Sequence, residues 1–138
     1  MDKLFIDCNI LLDWLTDRPP FSQHAEILLT MIEKKEVDGF ISPLTLSNTY
    51  YILRKQTTKR IANEFLNDSK KLFNIIDITK KITWEAIDNK YKDFEDDLHF
   101  FTANANSLDY IITRNKSDFI KTDTIAVLTA EEYLKHRR

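Results

Sequence analysis

Hydrophobic positions alternate between short continuous runs and stripes at helical spacing along the whole chain. Leu4-Phe5-Ile6 is an apolar run too short for a helix and suited to a buried strand, and Asp7 ends it. Ile10, Leu11, Trp14 and Leu15 then recur at helical spacing until Arg18-Pro19-Pro20, where proline lacks an N–H and restricts the residue before it. Ala25, Leu28, Leu29 and Ile32 predict a second amphipathic helix, capped by Ser22 and running to about Glu36. Gly39 predicts a tight turn into a second strand at Phe40-Ile41, and Ser42-Pro43 reads as an N-cap with proline at the first helical position. The third helix carries Leu44, Leu46, Tyr50, Tyr51, Ile52 and Leu53 around most of its circumference, which predicts burial on more than one side.

The same alternation continues to the end. Ile61, Phe65, Leu66 and Leu72 outline a fourth helix, and Asn74-Ile75-Ile76-Asp77-Ile78 contains a third strand. A helix from about Ile82 to Asn89 follows. Asp93 can cap the next one, whose Phe94, Leu98, Phe101 and Ala105 form an apolar stripe ending near Asn106-Ser107. Tyr110-Ile111-Ile112 and Ile125-Ala126-Val127-Leu128 read as two more strands, and Thr129 with Glu132 forms a capping box for a C-terminal helix. Strands alternating with helices predict an α/β fold: about five parallel strands in three layers, with helices on both faces. No repeat or linker-like stretch interrupts residues 1–138, so the expectation is a single domain.

Composition narrows the chemistry. The chain is 43% hydrophobic and 30% charged, enough apolar surface for a packed core. Twenty basic against 22 acidic residues exclude a generally basic nucleic-acid-coating protein. The charges are unevenly placed: Glu85 to Asp97 holds six acids against two lysines, and Arg54 to Arg60 holds four bases and no acid. The lone glycine, Gly39, excludes a glycine-rich phosphate loop, so phosphate must be handled by side chains. Cys8 is the only cysteine and no histidine neighbours it, which favours packing over catalysis. No signal peptide or membrane-length apolar run appears, and a cytoplasmic location without membrane contact is expected.

In open parallel sheets, ligands bind beyond the carboxyl ends of the strands. Asp7 follows the first strand; Thr113, Asn115 and Asp118 follow the fourth; Asp96 lies early in the helix before it. Carboxylates meeting in one crevice repel one another unless a cation intervenes, and Mg²⁺ or Mn²⁺ prefers oxygen ligands and retains water. Taken one at a time, these residues also read as helix caps, first-turn acids or turn residues.

Three segments resemble the PIN domain family, specifically the toxins of bacterial toxin–antitoxin pairs. Phe5-Ile6-Asp7-Cys8-Asn9-Ile10-Leu11-Leu12-Asp13 is similar to the family's opening strand with its metal-binding Asp and a following Asn. Phe94-Glu95-Asp96-Asp97-Leu98 resembles the segment with a second acidic ligand, in a register that favours Asp96 over Asp97. The stretch from Asp109 to Phe119, containing Thr113-Arg114-Asn115 and Asp118-Phe119, resembles the family's fourth strand and the loop after it. The resemblance implies a metal-dependent ribonuclease that cuts single-stranded RNA, neutralised by an antitoxin and dimeric. It implies Mg²⁺ or Mn²⁺ on Asp7 and Asp96. Asn9, Thr113 and Asn115 would orient ligands or water, and Asp118 would bind a second metal or act from behind the ligands.

One departure weakens the metal set. By register, Asn48 stands where the family commonly has Glu, and Asn115 stands where many relatives have Asp. Asn48 shares a helix face with Leu44, Tyr51 and Ile52, so it must find a polar partner there or reach the site. The alternative function is therefore a catalytically weak or inactive PIN-like module that binds RNA or protein. A haloacid-dehalogenase-type phosphatase ranks below both, because Asn9 cannot serve as the acid/base two residues after a nucleophilic Asp7. Cations must offset an acidic crevice for RNA to approach; Arg114, Lys116, Arg54 and Lys55 are the candidate phosphate contacts, with Lys59 and Arg60 nearby.

Overall fold

The computed structural model describes residues 1–137. Among them, β1 (Lys3–Ile6), β2 (Asp38–Ile41), β3 (Asn74–Ile75), β4 (Tyr110–Ile112) and β5 (Ala126–Leu128) form one sheet. The strand order is β3-β2-β1-β4-β5, and every neighbouring pair is parallel. The helices are α1 (Cys8–Leu15), α2 (Ser22–Glu33), α3 (Pro43–Gln56), α4 (Lys59–Leu72), α5 (Lys80–Asn89), α6 (Phe94–Ala105) and α7 (Ala130–Arg137). This is the three-layer α/β/α arrangement that the alternating pattern predicts.

The layers follow from the two-residue period of a strand, which sends successive side chains to opposite faces. On central β1, Leu4 and Ile6 join a core with Leu11 of α1, Leu28 of α2, Leu53 of α3, Phe65 of α4 and Tyr133 of α7. Phe5 faces the other way, into a second core with Phe100 and Ala103 of α6 and with Phe119. The neighbouring strand repeats the split, Ile112 in the first core and Ile111 in the second. Each such side chain contributes roughly 1.5–3 kcal/mol by leaving water. The strand following β1 in sequence lies on one side of it and β4 on the other, so the crevice at the switch point opens beyond Ile6 and Ile112.

Three local expectations change. Gly39 is not a turn residue: it lies inside β2 beside Leu4, and no glycine has a positive φ. A Cβ there would stand 2.9 Å from Ile32 Cδ1 and 3.1 Å from Phe73 Cδ1, so α2 and the end of α4 pack directly on its backbone. Gly39→Ala should cost about 1–3 kcal/mol by overpacking, more than the ~0.4–1 kcal/mol gained from a less flexible unfolded chain. A denaturant midpoint unchanged from the parent would contradict this.

Ser22 is the first helical residue and does not cap α2; the N-cap is Phe21, already in helical conformation. The preceding turn supplies the acceptors instead, with Arg18 O accepting from Phe21 and Ser22 N–H at 3.0 and 2.9 Å. The helix stops at Glu33, and Lys35 adopts φ 60°. Nor is α3 buried on several sides. Its buried residues are Thr45, Thr49 and Leu53, whereas Tyr51 is 59% exposed and Ile52 is also exposed. The other caps stand as expected: Ser42 Oγ accepts from Thr45 N at 3.2 Å, Asp93 accepts from Asp96 N at 3.1 Å, and Thr129 and Glu132 form their reciprocal box.

Candidate active site

Asp7 sits at the end of β1 as the N-cap of α1, and both of its oxygens are committed by that position. Oδ1 accepts from Cys8 N at 2.7 Å; Oδ2 accepts from the Thr113 hydroxyl at 2.7 Å and, more weakly, from Asn9 Nδ2 at 3.5 Å. Thr113 follows β4 and is fully buried. Its Oγ1 also accepts from Asn9 Nδ2 at 3.3 Å and from Asn115 N at 3.0 Å, while Asn9 Oδ1 accepts from Arg114 N at 3.2 Å. Residues about a hundred positions apart thus form one network across the switch point. Asp7, Asn9 and Thr113 enter it through their side chains and Asn115 through its backbone.

Asp96 approaches from the first turn of α6. Burial, then the charges of Asp7, Asp93 and Asp118, push its carboxyl up to about 7, with His99 opposing. Asp118 closes the 3-10 turn Lys116–Asp118 after β4, and its charge reaches Asp96. Acids from three separate parts of the chain, after β1, after β4 and at the start of α6, therefore act on the Asp96 carboxyl. Asp97 does not take part: it is buried, and its Oδ2 accepts from Tyr91 N at 3.0 Å, tying down the chain that leads into α6.

Several residues have other partners than the sequence suggests. Arg114 is turned inward, its Nε 2.8 Å and Nη2 3.2 Å from the two oxygens of Asp13, with the guanidinium 4.2 Å above the Phe21 ring. Lys116 pairs with Glu132 at 2.9 Å and Arg60 with Glu64 at 2.7 Å. Arg54 and Lys55 lie exposed in the last turn of α3. Asn48 reaches Glu95, Nδ2 donating to Oε1 at 2.8 Å. Cys8 is a packing residue: burial pushes its thiol up to about 11, and contact with Thr49 offsets this only in part.

Sequence reasoning passed over Asp13, Glu95, His99 and Arg18. Two of them carried a signal, for Asp13 stands between Leu12 and Trp14, and His99 between Leu98 and Phe100. A polar residue in an apolar run needs a partner. Arg18 carries a positive charge felt by both Asp13 and Cys8, and donates to Gln56 Oε1 at 3.1 Å. A pocket of about 330 Å³, lined by Ile10, Asp13, Phe21, His24 and Arg114 among others, lies alongside; neither Asp7 nor Asp96 lines it.

The family model described as PIN domain matches residues 3–117. The chain belongs to the PIN domain family. The match contains Asp7, Asn48, Asp96 and Thr113 and stops one residue before Asp118. Within the family it is closely related to VapC toxins of toxin–antitoxin systems. Ribonuclease VapC1 of Aquifex aeolicus (strain VF5) is 28% identical over 140 residues, covering 96% of this PIN chain and 93% of that protein. A toxin–antitoxin complex from Klebsiella pneumoniae is 25% identical, with TM-score 0.67 over 89% of this chain and 95% of the other. The DNA-bound VapBC of Salmonella typhimurium shares the fold at 14% identity, with TM-score 0.69 over 94% and 99% of the two chains. Among the described residues, no helix is long and apolar enough to cross a membrane.

Proposed function

We propose that this PIN chain is a metal-dependent endoribonuclease and the toxin of a toxin–antitoxin pair. The observation that carries the reading is the meeting of strand-end and helix-start carboxylates at the switch point: burial, and then the charges of Asp7, Asp93 and Asp118, push the Asp96 carboxyl up to about 7. Such crowding is relieved by a divalent cation. The donors are all oxygens, as Mg²⁺ or Mn²⁺ prefers. Asp7 offers about four lone-pair directions and uses three, leaving one on Oδ1. Among the described residues, no three His, Cys, Asp or Glu side chains already converge tightly enough to hold an ion, so Asp7 and Asp96 would share it with water. Hard cations of this kind commonly keep several waters.

Bound there, such an ion would supply an activated water and offset charge on the attacked phosphate. The chain's own residues do the rest. Thr113 and Asn9 fix the Asp7 carboxylate, and Asp118 extends the acidic wall next to Asp96. Arg54, Lys55 and Lys59, with Arg18, have no ion pair among the described residues and are left to meet phosphate, whereas Arg114, Lys116 and Arg60 are paired within the fold. The relative from Klebsiella pneumoniae solved as a toxin–antitoxin complex supports an antitoxin partner. A second copy would cover Trp84, Ile87, Tyr91 and Phe94, apolar residues that remain exposed on and between α5 and α6.

The test is cleavage of single-stranded RNA by purified protein with Mg²⁺ or Mn²⁺, beside a chelator control. Cleavage that needs the metal is the expected result. RNA retained on the protein but never cut would favour the non-catalytic binding module, for which Asn48 is the motive.

A further inference from the structure

Glu95 precedes Asp96 on α6, and its carboxylate is gripped from two sides. Asn48 Nδ2, on α3, donates to Oε1 at 2.8 Å, and His99 Nε2, one turn along α6, stands 3.4 Å from the same oxygen. These contacts hold the Glu95 carboxyl below the usual glutamate range, His99 first and Asn48 after it, against the opposite pull of burial. His99 is fully buried, its ring tilted against Phe5 with centroids 5.2 Å apart, and neither ring nitrogen has a hydrogen-bond partner. Burying an imidazole in that state costs on the order of 1–3 kcal/mol. Its Nε2 stands near Glu95 Oε1 without forming a hydrogen bond, and a helix needs no such residue to place an ordinary first-turn acid.

Both contacts fall on Oε1. Among the described residues, Oε2 receives no hydrogen bond, and Glu95 is only partly covered. It borders the crevice already described: Glu95 adjoins Asp96 in the first turn of α6 and is tied by Asn48 to α3, which packs against α1, the helix that Asp7 caps. We infer that Glu95 is a third metal-serving carboxylate of this site, its Oε2 acting through water on the cation held by Asp7 and Asp96, with Asn48 and His99 as its positioning residues. An amide at position 48 brings no charge of its own, yet it delivers one by presenting Glu95 from the neighbouring helix. This rests on the metal-dependent reading above.

The test is Mn²⁺ binding by calorimetry, with no RNA present, for wild type, Glu95→Gln, Asn48→Ala, the double variant, Asp93→Asn and Asp7→Asn, each first shown to melt cooperatively. Glu95→Gln should weaken binding about 10–100-fold, and Asn48→Ala by a smaller factor. Asp93→Asn, which removes a nearby charge but keeps the α6 cap acceptor, should have the least effect. Asn48→Ala should add nothing in the Glu95→Gln background, a coupling that a purely structural role for Asn48 would not produce. Wild-type affinity in Glu95→Gln overturns the inference, and if Asp7→Asn still loses binding, the nuclease reading survives it. Additive losses overturn the positioning role of Asn48. A wild-type chain that binds no Mn²⁺ overturns both readings.

Discussion

Asp7→Asn and Asp96→Asn are each expected to lower metal-dependent RNA cleavage by at least about 100-fold while leaving the fold intact. At position 7 an asparagine keeps the oxygen that accepts the Cys8 N–H, so the cap on α1, worth about 0.5–2 kcal/mol, persists. What disappears is the charge, which no other residue at the end of β1 supplies, together with the Oδ2 acceptor that serves Thr113 and Asn9, so a local rearrangement of those two side chains is expected with the overall fold kept. Metal-free stability should move the opposite way to activity for Asp96→Asn. The fold holds this carboxyl near 7, above the roughly 3.9 of an unfolded aspartate, so the fold disfavours the ionised form. Wild-type stability from this group is therefore fully present at low pH and is lost as pH rises from about 4 to about 7. Asp96→Asn should then melt above wild type at pH 8 in chelator, by a margin that shrinks as pH falls through that window. Thermal melts across pH, run beside the cleavage assay, check both halves. A variant that still cuts at the wild-type rate, or that melts lower at pH 8, would remove Asp96 from the crowded site.

Arg114→Ala should destabilise the fold by about 3 kcal/mol. Asp13 is fully buried, and the guanidinium is the partner that grips both of its oxygens. Breaking a buried pair typically costs about 3–5 kcal/mol because the remaining charge is stranded. The lower end applies here, since the Arg114 side chain keeps 27% exposure and water can reach the pair. Loss of the stack on Phe21 adds about 0.5–1 kcal/mol. Replacing both partners together, Asp13→Leu with Arg114→Met, should recover much of the loss, because no charge is then left without a partner. Urea midpoints of the single and double variants measure this. Arg114→Ala with an unchanged midpoint but weakened RNA cleavage would instead return Arg114 to the phosphate-contacting role that its place in the sequence suggests.

Most elements and several caps could be read directly from the chain, because period two and period 3.6 are local properties of a strand and a helix. Ser42, Asp93 and the Thr129–Glu132 box act within three residues of themselves, so their roles are local too. Misreadings arose where a neighbour in space decided the outcome. Gly39 looks like a turn residue until Ile32 and Phe73 are seen against it. Tyr51 and Ile52 look like core until α3 is found to bury only one side. For Arg114, sequence places it beside Asn115 and Thr113, but its guanidinium answers to Asp13, 101 residues away.

Residue order was enough to set the alternating α/β succession, the absence of a glycine-rich phosphate loop, and the strand ends at which Asp7 and Thr113 stand. Those follow from residue type and spacing alone. Which charges meet depended on packing: that half-buried Asp96 feels Asp7 and Asp118, that Arg114 pairs with buried Asp13 and Lys116 with Glu132 at the surface, and that Asn48 holds Glu95. Electrostatic interactions depend on distance and burial, and neither can be read from positions along a chain until packing has set both.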